Sequence, residues 1–210
     1  MFLRISNKRF FLFIFALLLA VYSPYVNIID CNADTNSRSH SSLGVWDISD
    51  LDNRIIPVRN DLSGYSTNVS NSMARWNSVR STSNGILLTF SLSPNTNQNN
   101  IEFDPYMDVS VVAHCDLRKR TDNTIISFTI SLNSKLSWSN GAAYGKYDIE
   151  SVLTHELGHA LGIRHCHELS GPVCNTSQCP YNVMYPSIGT NSSRRTLTSY
   201  DITAFRSLYS

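Results

Sequence analysis

The stretch His155-Glu156-Leu157-Gly158-His159-Ala160-Leu161-Gly162-Ile163-Arg164-His165 constrains this chain more than any other. Histidines four apart on a helix lie one turn from each other, so His155 and His159 can clamp one metal ion. A zinc ion that catalyses needs three protein ligands and one open position, and the third imidazole must arrive from beyond the helix. Gly162 permits this, because glycine takes a positive φ without steric cost and the chain can turn there to bring His165 back. Glu156 is left beside the open position, where a carboxylate can take the proton of a water whose pKa the metal lowers to about 7. The pattern implies a zinc hydrolase site.

A buried helix with incidental histidines is the competing reading, and the flanks bear on it. Asp148 reads as the N-cap, and Ile149, Val152, Leu153, Leu157, Ala160 and Leu161 recur at three- and four-residue spacing to give a core-facing stripe. His155 and His159 fall off that stripe. With Gly162 and His165 also in register, the metal reading is the stronger one.

The order HExxHxxGxxH followed by a methionine turn resembles the metzincin metalloproteases. Val183-Met184-Tyr185-Pro186 supplies the turn, with Met184 following His165 by 19 residues. By that resemblance Met184 forms a soft apolar floor under the imidazoles. Pro186, two residues after Met184, resembles the matrixin branch, the matrix-metalloprotease-like catalytic domains. The resemblance implies an endopeptidase with one catalytic Zn2+ on His155, His159 and His165, Glu156 as general base and later proton donor, and no acyl-enzyme.

The rest of the chain reads in the same order of elements. Ile55 to Arg59 is a first strand, Thr67 to Val79 a first helix with Val69, Met73 and Trp76 inward, and Ile86 to Leu92 a strand. Ile101 to Asp104 and Val109 to His114 are further strands, and Ile126, Phe128, Ile130 and Leu132 alternate with polar residues in another. Thr198-x-x-Asp201 caps a last helix with Ile202, Phe205 and Tyr209 on one face. The fold class is therefore α+β: a mixed twisted sheet with three helices, zincin-like, its cleft along the sheet edge. Val111-Val112-Ala113-His114 resembles the matrixin edge strand that pairs with the substrate backbone, which makes Val112 and Ala113, with Pro186, candidate substrate-binding residues. Ser127 to Leu132 lacks the His and acidic residues that hold a structural zinc in many matrixins, so none is expected. Asp104, Asp108, Asp116 and Asp122 offer oxygens for Ca2+ at no spacing that specifies it. Arg194 and Arg195 read as part of a solvated loop, and Ile188 stands where many relatives have a tyrosine.

Arg4, Lys8 and Arg9 precede the apolar run Phe10 to Tyr22, which is short for a membrane span. Residues 1–33 therefore read as a secretory signal cleaved after Ala33, residues 34–44 as a polar disordered lead-in, and 45–210 as the catalytic domain. A membrane tether applies only if the segment stays uncleaved. Retained, Cys31 would offer an inhibitory thiol, without the Pro-Arg-Cys-Gly motif of the family. Cys115, Cys166, Cys174 and Cys179 remain, an even count that suits two disulfides in an extracellular protein. Three connectivities are open to them; Cys174–Cys179 or Cys166–Cys174 could staple the loop after His165, with Cys115 taking the remaining partner. A four-thiolate zinc of archaemetzincin type is the alternative. Asn68, Asn175 and Asn191 sit in glycosylation sequons. A net charge of +1 without a basic patch speaks against nucleic acid. The expected partner is a protein or peptide substrate and the expected state a monomer. The reading from another class is a secreted or tethered zinc-containing binding module without activity, against which the intact Glu156 argues.

Overall fold

In a computed structural model, residues 28–30, 42–79, 85, 87–166 and 179–209 are described. Nine strands and three helices are assigned among them: β1 (Ile28–Asp30), β2 (Val45–Trp46), β3 (Ile55–Asn60), α1 (Ser66–Asn77), β4 (Thr89–Leu92), β5 (Asn99–Asp104), β6 (Val111–Lys119), β7 (Thr124–Asn133), β8 (Trp138–Ser139), β9 (Tyr147–Asp148), α2 (Ile149–Ala160) and α3 (Ser199–Leu208). The main sheet has the order β1-β6-β7-β5-β3-β4, with β2 also on β7, while β8 and β9 pair separately. All pairings are parallel except β6 with β7, so β1 and β6 run together against the other strands of the sheet. No described helix is long and apolar enough to cross a membrane.

The alternation in β7 is half as expected. Phe128, Ile130 and Leu132 are buried, but Ile125 rather than Ile126 continues the inner face. A register shift explains it: Arg118 pairs with Ser127 while its neighbour Lys119 pairs with Ile125, so Ile126 is bulged out and the side-chain period slips by one.

α2 is buried on every side, all twelve residues included, rather than presenting one apolar stripe. The sheet covers one side and α1 another. Between the helices the contact is polar as well as apolar: Trp76 Nε1 donates to Thr154 O at 2.7 Å, Ser72 Oγ to Glu150 O at 3.1 Å, and Arg75 pairs with the buried Glu150 at 2.5 Å. Asp148 is at the N-cap as expected, yet its side chain caps no backbone N–H of the helix. It instead accepts from Arg195 at 2.6 and 2.7 Å, Ser151 Oγ at 2.5 Å and Ser193 Oγ at 3.0 Å. Arg195 also reaches Glu150 at 3.1 Å. Arg194 donates to the carbonyls of Asn182, Tyr185 and Ser187 and lies over the Tyr185 ring. The two arginines are thus structural ties rather than a solvated loop, because the acceptors they serve are otherwise shut away from water.

The cysteine expectation is corrected. Cys166 and Cys179 form a disulfide, and Cys115 is buried in β6. Cys115 is buried in the core, and Cys174 lies outside the described residues. With two sulfurs joined and a third in the core, the four-thiolate alternative does not assemble. Of the sequons, Asn68 is 4% exposed and bonded to Asn140 and Glu150, which leaves no room for a glycan. Ser42 and Leu43, in the stretch read as lead-in, are buried, because they pack on the chain just after α2. β1 lies inside residues 1–33 and pairs with the outer side of β6.

Two outcomes follow for stability. Trp76→Phe, which keeps an aromatic ring and removes the donor to Thr154, lowers the urea midpoint by the equivalent of about 1 kcal/mol with an unchanged m-value. Burial would raise the pKa of Asp148, but the bonds from Arg195, Ser151, Gly141 and Ser193 outweigh it and hold the carboxyl below its usual range. A depressed folded-state pKa stabilises above the unfolded value of about 3.9 and is lost as pH falls through the folded one. Asp148→Asn is therefore less stable than the parent above about pH 4, and the gap between the two proteins closes as acid titrates the parent.

Candidate active site

α2 carries the first two imidazoles and ends at Ala160, with Leu161 as C-cap. Gly162 has a φ of +87°, donates its N–H to His159 O at 2.8 Å, and is followed by Ile163 N–H on Gly158 O at 3.0 Å. This pair of bonds is the Schellman closure that a glycine after the helix permits. The chain then reverses and His165 arrives beside the other two. The ring centroids are 4.6 Å apart for His155–His159 and His159–His165, and 5.2 Å for His155–His165. All three rings are buried.

Each helical imidazole is oriented through its far nitrogen. His155 Nδ1 lies 2.6 Å from Val183 O and His159 Nδ1 2.7 Å from Ile163 O. A carbonyl can only accept, so both Nδ1 atoms carry the proton and both Nε2 atoms present lone pairs. His155 Nε2 is buried with no hydrogen-bond partner. His159 Nε2 and His165 Nε2 are 3.1 Å apart. Two nitrogens about 2.0–2.1 Å from one zinc at a tetrahedral angle would sit about 3.3 Å apart, so the donor set fits the ion. Burial pushes the pKa of His155 well below its ordinary value, as charge on His159 or His165 also would, which keeps the ring neutral and able to ligate. Among the described residues these three form the one cluster of potential metal ligands. Asp104, Asp108 and Asp122 accept from the N–H of Tyr106, Ser110 and Thr124, and Asp116 pairs with His114. Those carboxylates shape local turns and edges and do not converge on a calcium site.

Glu156 follows His155 on α2 and is wholly buried. Met184, also fully buried, packs so near the helix that a Cβ on Gly158 would overlap its Sδ and press on the Trp76 ring. Its loop is held by Asp201, whose carboxylate accepts from Val183 N and Met184 N at 3.1 Å while also accepting from Thr198 N in the α3 capping box. Val183 O is the acceptor that orients His155, so Asp201 acts on the site through one residue of backbone. The Thr-x-x-Asp pattern announces the capping box; nothing local announces this second use. Val112 and Ala113 have side chains buried in the core, so what they offer a substrate is main chain, and Pro186 is partly exposed.

A helix carrying two inward imidazoles, a glycine reversal delivering a third, and a methionine packed against that helix define a zinc metalloendopeptidase of metzincin type. The matrixin family profile matches residues 58–210, and the chain belongs to that family. Among solved structures, high choriolytic enzyme 1 (HCE-1), a hatching enzyme zinc-protease from Oryzias latipes (medaka fish), is similar with a TM-score of 0.45 and 15% identity, over 80% of this chain and 98% of that one. No curated protein sequence matches the chain.

Gly158→Ala forces Met184 and Trp76 away from α2. It lowers zinc affinity by about 10-fold or more in competition with a chelator, and lowers stability by about 1–3 kcal/mol in denaturant titration.

Proposed function

We propose that this protein is a secreted zinc-dependent endopeptidase in which Glu156 is the general base and His155, His159 and His165 hold the metal. The observation that carries the reading is the buried triad, two of its Nδ1 atoms tied to main-chain carbonyls and His155 Nε2 left without a partner, with a buried carboxylate next to it in the chain. Zinc, when bound, polarises the scissile carbonyl as a Lewis acid and makes water a better nucleophile. Glu156 accepts the proton that the attacking water gives up and returns it to the leaving amine nitrogen. Burial strengthens that exchange, since little bulk water competes for the carboxylate.

The outer side of β6 suits an extended peptide, which would add to the sheet through main-chain hydrogen bonds. Ile28–Asp30 already pairs there, with Ile28 opposite Val111 and Asp30 opposite His114. With their side chains in the core, Val112 and Ala113 contribute backbone contacts, and Pro186, the last residue of the methionine turn, is a further contact. Secretion is supported by the basic residues and apolar run at the start of the chain and by the Cys166–Cys179 disulfide.

The test is cleavage of a mixed peptide library by the purified protein and by Glu156→Ala, with zinc content measured for both. The parent cleaves, and the variant loses about 10²–10⁴-fold in kcat/KM while still holding one zinc. Zinc in both proteins with no cleavage by either would leave a zinc-containing binding module as the function.

A further inference from the structure

Two of the three metal-binding histidines ride on a rigid helix, and the third does not. His165 stands beyond the helix on a reversed segment, so its distance from the others depends on what holds residues 161–166. On the far side, Cys166 N donates to Met184 O at 2.9 Å and the Cys166–Cys179 disulfide follows. The near side is held by a segment about 120 residues earlier in the chain.

A helix end leaves its last carbonyls without partners, and this end is buried, where each unmet carbonyl is costly. Ala160 O accepts from Trp46 Nε1 at 2.8 Å. Leu161 O accepts from Tyr209 Oη at 2.8 Å. Gly162 O accepts from Leu43 N at 2.8 Å, and Ile163 O faces His159 Nδ1. Two of the three donors from outside the helix thus come from residues 43–46. Ser42 bridges Ile163 in antiparallel fashion and its carbonyl accepts from Arg164 Nε at 3.2 Å. The fit is close: a Cβ on Gly162 would overlap the Gly44 carbonyl oxygen.

The segment is itself anchored. Gly44 has a φ of +143°, and a Cβ there would meet Asn123 O and Ile125 Cγ1. Lys119 Nζ donates to Leu43 O at 2.9 Å, Val45 N donates to Asn123 O at 3.3 Å, and β2 joins β7. The sheet therefore fixes residues 42–46, and these fix the turn that presents His165.

We propose that Ser42–Trp46 is a strap that positions the third zinc ligand: by pairing with Gly162 and Ile163 it sets where His165 stands, and Gly44 and Lys119 are positioning residues for the metal site. The strap touches neither metal nor substrate. Its contribution is to affinity for zinc, and it rests on His165 being a ligand, not on peptidase activity.

The test is a double-mutant cycle on zinc affinity in the full chain, read by competition with a chromogenic chelator. Gly44→Ala weakens zinc binding by about 10–100-fold in the parent, the range found for groups that orient ligands, but by less than about 3-fold in the His165→Ala background, where the strap has lost the ligand it serves. A strap that merely stabilises the fold would lower affinity equally in both backgrounds, and that result overturns the proposal, as does unchanged affinity in the parent. Circular dichroism checks folding. Lys119→Met, which removes one donor and keeps the aliphatic stem, repeats the cycle with the same direction and a smaller factor, so misfolding of the glycine variant does not remove the test. Cobalt-loaded protein adds a second readout: weakened visible absorption in the strap variants is expected as His165 moves off the metal, and an unaltered spectrum speaks against the strap.

Discussion

The reversal at Gly162 is the constraint on which the rest of the structure depends. Three imidazoles must meet at one point, and a helix can deliver only two of them to one side within a single turn. The third therefore requires the helix to end just after His159 and the chain to double back inside the protein. Both demands are local and steric, and both fall on one residue with a φ of +87°. Ending a helix in the interior also exposes carbonyls where no water can reach them. Leu43 and Trp46 meet that need from one distant segment and Tyr209 from another.

The same logic runs through the neighbouring elements, where buried polar groups act as fasteners between segments. Asp201 joins the start of α3 to the methionine turn, and the turn's Val183 carbonyl orients His155. Arg195 joins the loop before α3 to Asp148 and Glu150 at the start of α2. Trp76 and Ser72 join α1 to the middle of α2. Each fastener contributes little alone, since a buried hydrogen bond nets about 1 kcal/mol, but breaking one strands its partner in a dry interior at greater cost. Their combined effect is directional. α1, the methionine turn and the loop before α3 are each tied to α2 by at least one specific polar contact, where apolar packing alone would let them slide.

Much of the site was legible in the sequence because its rules are short-range. The spacing of His155, His159 and His165, the glycine between them, and the Thr198-x-x-Asp201 box depend on helix geometry and turn stereochemistry within a dozen residues. Element order and the inward faces of α1 and α3 followed from periodicity for the same reason. Where the reading failed, a long-range contact had intervened. The inner face of β7 slipped from Ile126 to Ile125 because of a bulge set against β6. Arg194 and Arg195 left the solvent for partners 7 to 47 residues away. Cys166 joined Cys179, and Cys115 stayed inside the sheet.

The sequence by itself determined the groups available for chemistry: which side chains are spaced to meet at one metal, which carboxylate stands beside them, and where the chain must turn. These are properties of residue type and spacing, and they survive any arrangement of the remaining elements. Only the tertiary structure decided how tightly those groups are held. That Ser42–Trp46 lies across the Gly162 turn, that Asp201 serves a loop as well as its own helix, and that Val112 and Ala113 of β6 have their side chains buried in the core all depend on which distant segments share the interior. The physical reason is that a buried donor or acceptor must find a partner somewhere, and only the folded chain specifies which one is within reach.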